Sequence, residues 1–422
     1  MRRLSIVLLI LILTLPAMAQ EEERVLPYDA LIRSARIYLG QKQKDYDMAQ
    51  KRLQEAIDNY ENPVEAYYWL GMIYSERAKY KEMIDAFAKY REICEKAQED
   101  NDKDLKKRCS KDKMPDMIAK VTDEEWNKNF KWAVDHLKAA DSIDAEVSNV
   151  ADDSSKTAMK ESVNKLLEKS RDEFNTAIML DSTRFQAWAN QAIVEKRVGD
   201  PDSALFYYRR AHELKPSDVD VLSGMASTLY EKKQFPEAVK YFEDMAEKDT
   251  TNAVWALTYA AICYQSMKHN DKFKETLDRI LRIDPNNAQI RYQRGIYFVQ
   301  AAAAPALRDS ARLLDSLAQA KPKDKALAQA RTDLTDYRLS LYKEALPDFK
   351  LAAESDTTEP DYRYWYGTAA FFSGDVDLAR SIYEGCVQLD PDFADCWCGL
   401  ESVYAQLKMQ EKFEEAKEKC GD

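Results

Sequence analysis

Glycine and proline are scarce in this chain, with 10 and 13 among 422 residues. A protein of strands and tight turns needs more of both at its bends, so a sandwich or barrel is excluded as the framework. Histidine is scarcer still. His136, His212 and His269 lie far apart in sequence, have no second His or Cys at metal-ligand spacing, and are expected on exposed helix surfaces. The glycine-rich phosphate loops and the nucleophile elbow, G-x-x-x-x-G-K-[ST], G-x-G-x-x-G and G-x-S-x-G, are missing too. No cofactor, metal or catalytic centre is expected, and no leftover stretch is long enough for a separate enzyme domain. Positive charge is in deficit: 62 Lys and Arg face 74 Asp and Glu, for a formal net charge of −12 and a pI near 5.1. That balance repels phosphate backbones and argues against nucleic acid as a partner. Beyond the N-terminus, no apolar run reaches the ~20 residues of a bilayer span.

What the chain does have begins with Arg2 and Arg3, an apolar run from Leu4 to Leu15, and Ala17-Met18-Ala19. Basic, apolar and small-residue regions in this order predict a signal peptide over residues 1–19, cleaved after Ala19. The mature protein is then expected in the periplasm or outside the cell. Seven cysteines enter a probable oxidising compartment on that reading, and an odd number cannot all pair within one chain. Cys94 with Cys109 is one pairing open to the sequence. A local bridge among Cys386, Cys396, Cys398 and Cys420 is another, while Cys263 and Cys386 read equally well as small buried apolar residues. Cys396 and Cys398 point about 200° apart on a helix, which makes them a poor chelate.

A period then emerges. Trp188, Gln191 and Ala192 are followed by Ala204, Tyr208, Ala211 and Pro216. The order returns as Leu222, Met225, Ala226, Ala238 and Phe242, and again as Ala261, Tyr264, Phe273, Leu277 and Pro285. Gly295, then Gly367, Ala379, Tyr383 and Pro391, then Trp397, Leu400, Tyr404 and Phe413 repeat it downstream; Tyr67, Leu70, Gly71, Tyr74, Phe87 and Tyr90 form an upstream copy. Two antiparallel helices per unit explain the order. The small residue (Gly71, Ala192, Ala226, Ala261, Gly295, Gly367) lets the first helix approach its partner closely. Tyr208, Phe242 and Tyr383 fill the gap to the next unit, and Pro216, Pro285 and Pro391 end the second helix. Ser217-Asp218 and Asn286-Asn287 supply the cap of the following helix.

This pattern resembles the tetratricopeptide repeat family. The resemblance implies an all-α fold, a right-handed superhelical solenoid of antiparallel helix pairs in which each unit packs on its neighbours. Glu401 at the small position of the last copy, and Phe273 and Phe413 in place of the helix-B alanine, depart from the family pattern and mark the last copy as a cap.

Two stretches break the period. Residues 99–123 are dense in Lys and Asp and are expected to form a charged, mobile loop. Helix A resumes at Trp126, and a long helix is expected from about Lys156 to Leu180. After Gly295 the helix-B landmarks return only at Ala345, Phe349 and Ala352, which predicts an extra helix and a lengthened helix B. The expected division is therefore N-terminal repeats over 20–98, the charged loop over 99–123, and a stretched helical unit over 124–184. Regular repeats follow over 185–300, a helical insert over 301–341, and C-terminal repeats with a cap over 342–422.

The resemblance also implies a binding face, since in this family the second, fifth, ninth and twelfth residues of helix A line the groove. Carried over by spacing, these are Tyr68, Met72, Ile193, Lys196, Tyr230, Trp255, Ile262, Tyr292, Ile296, Tyr364 and Phe371, with Glu65, Asp220, Asp361 and Asp395 along one rim. Only Lys196 approaches the family's carboxylate-clamp pattern. An aromatic, apolar groove with an acidic edge suits an extended peptide or a helix carrying apolar side chains and some positive charge. The same aromatics would equally complete the interhelix core or meet one of the chain's own inserts. The function expected is a non-catalytic scaffold or adaptor for protein or peptide partners; a glycan- or polymer-handling adaptor of an envelope export system is the alternative.

Overall fold

The computed structural model describes residues 26–421, so the expected signal peptide and its cut lie outside the described residues. Among the described residues there are twenty α-helices, one short 3-10 turn and no strand. The chain divides into two compact units, residues 1–190 and 191–422.

The first unit opens with two helix pairs, α1 (Tyr28–Leu39) with α2 (Tyr46–Asn59), and α3 (Val64–Glu76) with α4 (Tyr80–Glu99). Leu31, Ala35, Leu53, Ala56, Leu70 and Ile73 form the core of this stack, spaced along each helix so that one stripe faces inward. Gly71 is essential to the second pair. A Cβ there would lie 2.2 Å from the ring of the fully buried Phe87, so only glycine lets the two helices meet.

Residues 99–123 are not a loop. They form α5 (Lys103–Cys109), a 3-10 turn at Lys111–Lys113, and the start of the 34-residue helix α6 (Met114–Val147). Leu105, Cys109, Met114, Ile118 and Val121 are all buried and fall about one helical turn apart. The dense Lys and Asp around them occupy the solvent side and hide that stripe. Asp102 caps α5 by accepting from the backbone N–H of Asp104 and Leu105. Helix α6 therefore starts well before Trp126, and α7 (Asp153–Leu180) returns along it. Trp126 stacks on Phe130, which meets Phe174 edge-on, and the Nδ1 of His136, half-buried, lies 2.7 Å from a Glu173 carboxylate oxygen.

Helix α8 (Phe185–Arg197) carries the chain across the division. The second unit continues with α9 (Pro201–Leu214), α10 (Val219–Glu231), α11 (Phe235–Lys248), α12 (Ala253–Ser266), α13 (Asn270–Ile283) and α14 (Ala288–Ala302). Helices α9 and α13 end at Leu214 and Ile283, just before Pro216 and Pro285, and Asp218 and Asn287 cap the following helices by accepting from Val221 and Ile290 N–H. After α14 comes α15 (Pro305–Ala320), which has no fully buried residue, and then α16 (Lys325–Ser355). The C-terminal half of α16 is the partner of α14, with Tyr342, Ala345, Phe349 and Ala352 buried against it. The unit closes with α17 (Pro360–Phe372), α18 (Val376–Leu389), α19 (Ala394–Leu407) and α20 (Gln410–Cys420).

Six cysteines pair, as Cys94–Cys109, Cys386–Cys396 and Cys398–Cys420. Cys386 is thus bridged rather than a free core thiol. Cys263 remains free and buried, and burial pushes its thiol up to about 11.

Candidate functional site

The candidate site is the face presented by the first helix of each pair. In the first unit that face is covered by the chain itself. Glu65, expected on an open rim, is 3 % exposed. It accepts from Arg108 of α5 at 2.7 and 3.1 Å, and from the Tyr28 hydroxyl at 2.8 Å. The Arg108 guanidinium also lies over the Tyr28 ring, 4.6 Å from its centroid. Burial works against the Glu65 carboxylate, yet the bonds from Arg108 and Tyr28 hold it below its usual range.

Tyr68, expected to line the groove, is buried in the core that α5 and α6 complete, beside Trp69 and Tyr90. Met72 packs half-buried on the same cluster. The Tyr90 hydroxyl donates to the Cys109 carbonyl, and Cys94–Cys109 ties α5 to α4 covalently. Glu65 and Tyr68 are therefore not ligand contacts of an open groove. The segment misread as a loop sits on them.

The second unit presents the same face uncovered. Ile193 and Trp255 are 40 % and 39 % exposed. Ile262, Ile296 and Phe371 are half-buried, as are Tyr230, Tyr292 and Tyr364. The three tyrosines are partly core. Tyr230 meets Tyr259 edge-on at 5.4 Å, Tyr292 lies against Tyr362 at 4.9 Å, and Tyr364 against Trp365 at 5.1 Å. Burial first, and Asp361 next, raise the Tyr292 hydroxyl; burial first, and Asp395 next, raise that of Tyr364.

Charge on this face is one-sided. Lys196 is answered by Glu231 at 2.8 Å. Asp220, Asp361 and Asp395 are exposed and make no ion pair or side-chain hydrogen bond among the described residues. A cleft of about 370 Å³ opens between α10 and α12, lined by Val219, Asp220, Ser223, Met245, Asp249, Asn252 and Trp255. Trp255 is set edge-on against the buried Phe242 at 5.8 Å and tilted on Tyr259 at 4.8 Å, so its exposed surface has a fixed backing. Ser223, Asp249 and Asn252 were missed by sequence reasoning. The first lies at an inward-facing repeat position; the other two lie in the connection between units, where the period signals only a helix end.

Models of the tetratricopeptide repeat match residues 35–100, the overlapping stretches 197–258 and 229–294, and residues 360–393. The chain thus carries tetratricopeptide repeats in both units. Over 140 residues it is 26 % identical to Anaphase-promoting complex subunit 3 of Schizosaccharomyces pombe, covering 33 % of this chain and 21 % of that protein. Over 128 residues it is 23 % identical to Protein CTR9 homolog of Arabidopsis thaliana, covering 30 % of this chain and 12 % of that one. The chain therefore spans about a fifth of the length of the first of these relatives and about an eighth of the second. Among solved structures, YrrB, described as a TPR protein with an unusual peptide-binding site, is 17 % identical. That match has a TM-score of 0.37 and covers 53 % of this chain and 95 % of the other.

Proposed function

We propose that this chain is a non-catalytic adaptor that holds protein or peptide partners on the first-helix face of its second unit. One observation carries the reading: apolar and aromatic side chains stand half-exposed on successive first helices, on the face that also carries carboxylates with no ion pair or side-chain hydrogen bond among the described residues. Contiguous apolar surface rimmed by unpaired charge is the ordinary character of a protein-docking face. A matched relative bearing the name of a complex subunit accords with it. We also propose that the protein works after export, in the periplasm or outside the cell. The order of residues 1–19 supports this, as does the pairing of six cysteines, which persists in oxidising compartments.

The test is affinity capture from an envelope extract by the full chain and by an Ile193→Glu, Trp255→Ala variant. Both side chains are substantially exposed, so helicity is expected to be unchanged. Loss of defined proteins on the variant supports the adaptor reading. Equal capture by both forms overturns the assignment of the face, and retention of polysaccharide alone overturns the choice of partner class.

A further inference from the structure

The two units carry an acidic residue at the same place in the repeat, and only one of these acids is answered. Glu65 is the second residue of α3, as Asp220 is of α10, Asp361 of α17 and Asp395 of α19. At Glu65 the chain supplies its own occupant. Arg108 reaches the carboxylate through Nη2 and Nε while its flat guanidinium lies over the Tyr28 ring. An acid for the two donors of the fork and an aromatic face for the plane are what an arginine asks of a site.

The second unit offers the same chemistry, with no side chain among the described residues paired to the acid. At the α10–α12 cleft, Asp220 is unpaired and Trp255 presents 39 % of its surface. Asp249 adds a second carboxylate on the cleft wall, anchored by the Asn252 amide at 2.6 Å and by the Thr251 N–H at 3.0 Å. Those bonds, the amide's first, hold Asp249 below its usual range, so it stays ionised. The cleft holds about 370 Å³ and its open charge is wholly negative. An acidic or neutral anchor would leave that charge uncompensated, and a lysine would forgo the two-point contact with the carboxylate.

We propose that the cleft between Asp220 and Trp255 takes an arginine side chain of the docked peptide, in the manner in which the first unit holds its own Arg108. This rests on the adaptor reading of the same face and names the residue by which the partner is read.

The test uses the full chain with its disulfides formed and a positional-scanning library of short tagged peptides on an apolar, serine-spaced background. The tightest peptide is then remade with each arginine replaced in turn by citrulline, which keeps the shape and removes the charge. One arginine is expected to dominate selection, and its citrulline form to bind about tenfold to a hundredfold more weakly, the range for a charge-assisted pair. Asp220→Asn and Trp255→Ala are each expected to weaken the arginine peptide and shrink the gap to citrulline. Asp309→Asn, an equal change of net charge at an exposed position on α15, away from the first-helix face, should leave that gap intact. Peptides that bind without preferring arginine, or a gap untouched by Asp220→Asn, overturn the arginine site while leaving the adaptor reading in place. Failure of every peptide to bind overturns both.

Discussion

Replacing Arg108 with alanine isolates what the closure of the first unit rests on. The Glu65 carboxylate would lose three hydrogen bonds, from Nε to both oxygens and from Nη2 to one, together with its ionic partner, and keep the bond from the Tyr28 hydroxyl. Breaking a fully buried pair by removing one partner costs about 3–5 kcal/mol, because the charge left behind is stranded. Here the Arg108 side chain is 33 % exposed, so its removal lets water reach the carboxylate. A penalty of about 2 kcal/mol is the consequence, below that range. Cys94–Cys109 keeps α5 tethered, so the loss should appear as local opening before global unfolding. Amide hydrogen exchange over residues 103–113 is the assay, with the disulfide intact. About 2 kcal/mol corresponds to exchange about thirtyfold faster through local opening. Lys107→Ala, at an exposed side chain one position away, is the control. If Arg108→Ala exchanges no faster than Lys107→Ala, the Glu65–Arg108 pair does not hold the segment and the account of a self-covered face is wrong.

Three further outcomes follow from the same packing and pairing. Cys94→Ser with Cys109→Ser removes a bridge spanning a sequence separation of 15, and urea unfolding should show a loss of about 3 kcal/mol by the loop-entropy relation. Because the Glu65 carboxyl is held below its ordinary value of 4.5, its stabilising contribution is present above that pH and is lost as pH falls through the lowered value. The stability gap between the wild type and Glu65→Gln should therefore narrow in urea melts taken at successively lower pH under about 4.5. Gly367→Ala would place a Cβ 2.7 Å from the buried Tyr383 ring, and calorimetry should report a loss of about 1–3 kcal/mol from overpacking, with helicity kept in the folded form.

The helix pairs were legible because each landmark has a steric cause that survives translation along the chain. Gly71, Gly295 and Gly367 face the rings of Phe87, Phe349 and Tyr383, so the same pairing of a small residue with a ring recurs from one helix pair to another. The extra helix and long helix B after Gly295 were readable for a related reason, since Ala345, Phe349 and Ala352 mark where the pair resumes. The segment at 99–123 was not. Its five buried apolar residues lie among many more Lys and Asp, and a short helix with one covered side carries too little apolar content to register. Misreading it carried Tyr68 and Glu65 wrongly onto an open surface, because the repeat rule says where a side chain points and nothing of what a distant segment lays over it. The cleft was half legible. Trp255 and Asp220 sit at repeat positions, whereas Asp249 and Asn252 belong to a turn whose geometry depends on how α11 hands over to α12.

The contrast between the units bears on why the first-helix face of the second unit stays open. A repeat array must satisfy two faces per unit: one packs on its neighbour, and the other is free to be solvated or to be filled. In the first unit the chain fills it, and the means are an arginine on an acid, a tyrosine hydroxyl on a carbonyl, and a covalent tie. Every polar group named there has a partner, which is the condition for burying charge without loss. In the second unit the equivalent acids are exposed and unpaired while Ile193 and Trp255 keep two-fifths of their surface in water. Exposed apolar surface beside unanswered charge gains nothing for the free chain. It becomes favourable only when a partner brings both an apolar side chain and a cation, and an arginine, with its apolar stem and flat charged head, brings both in one residue.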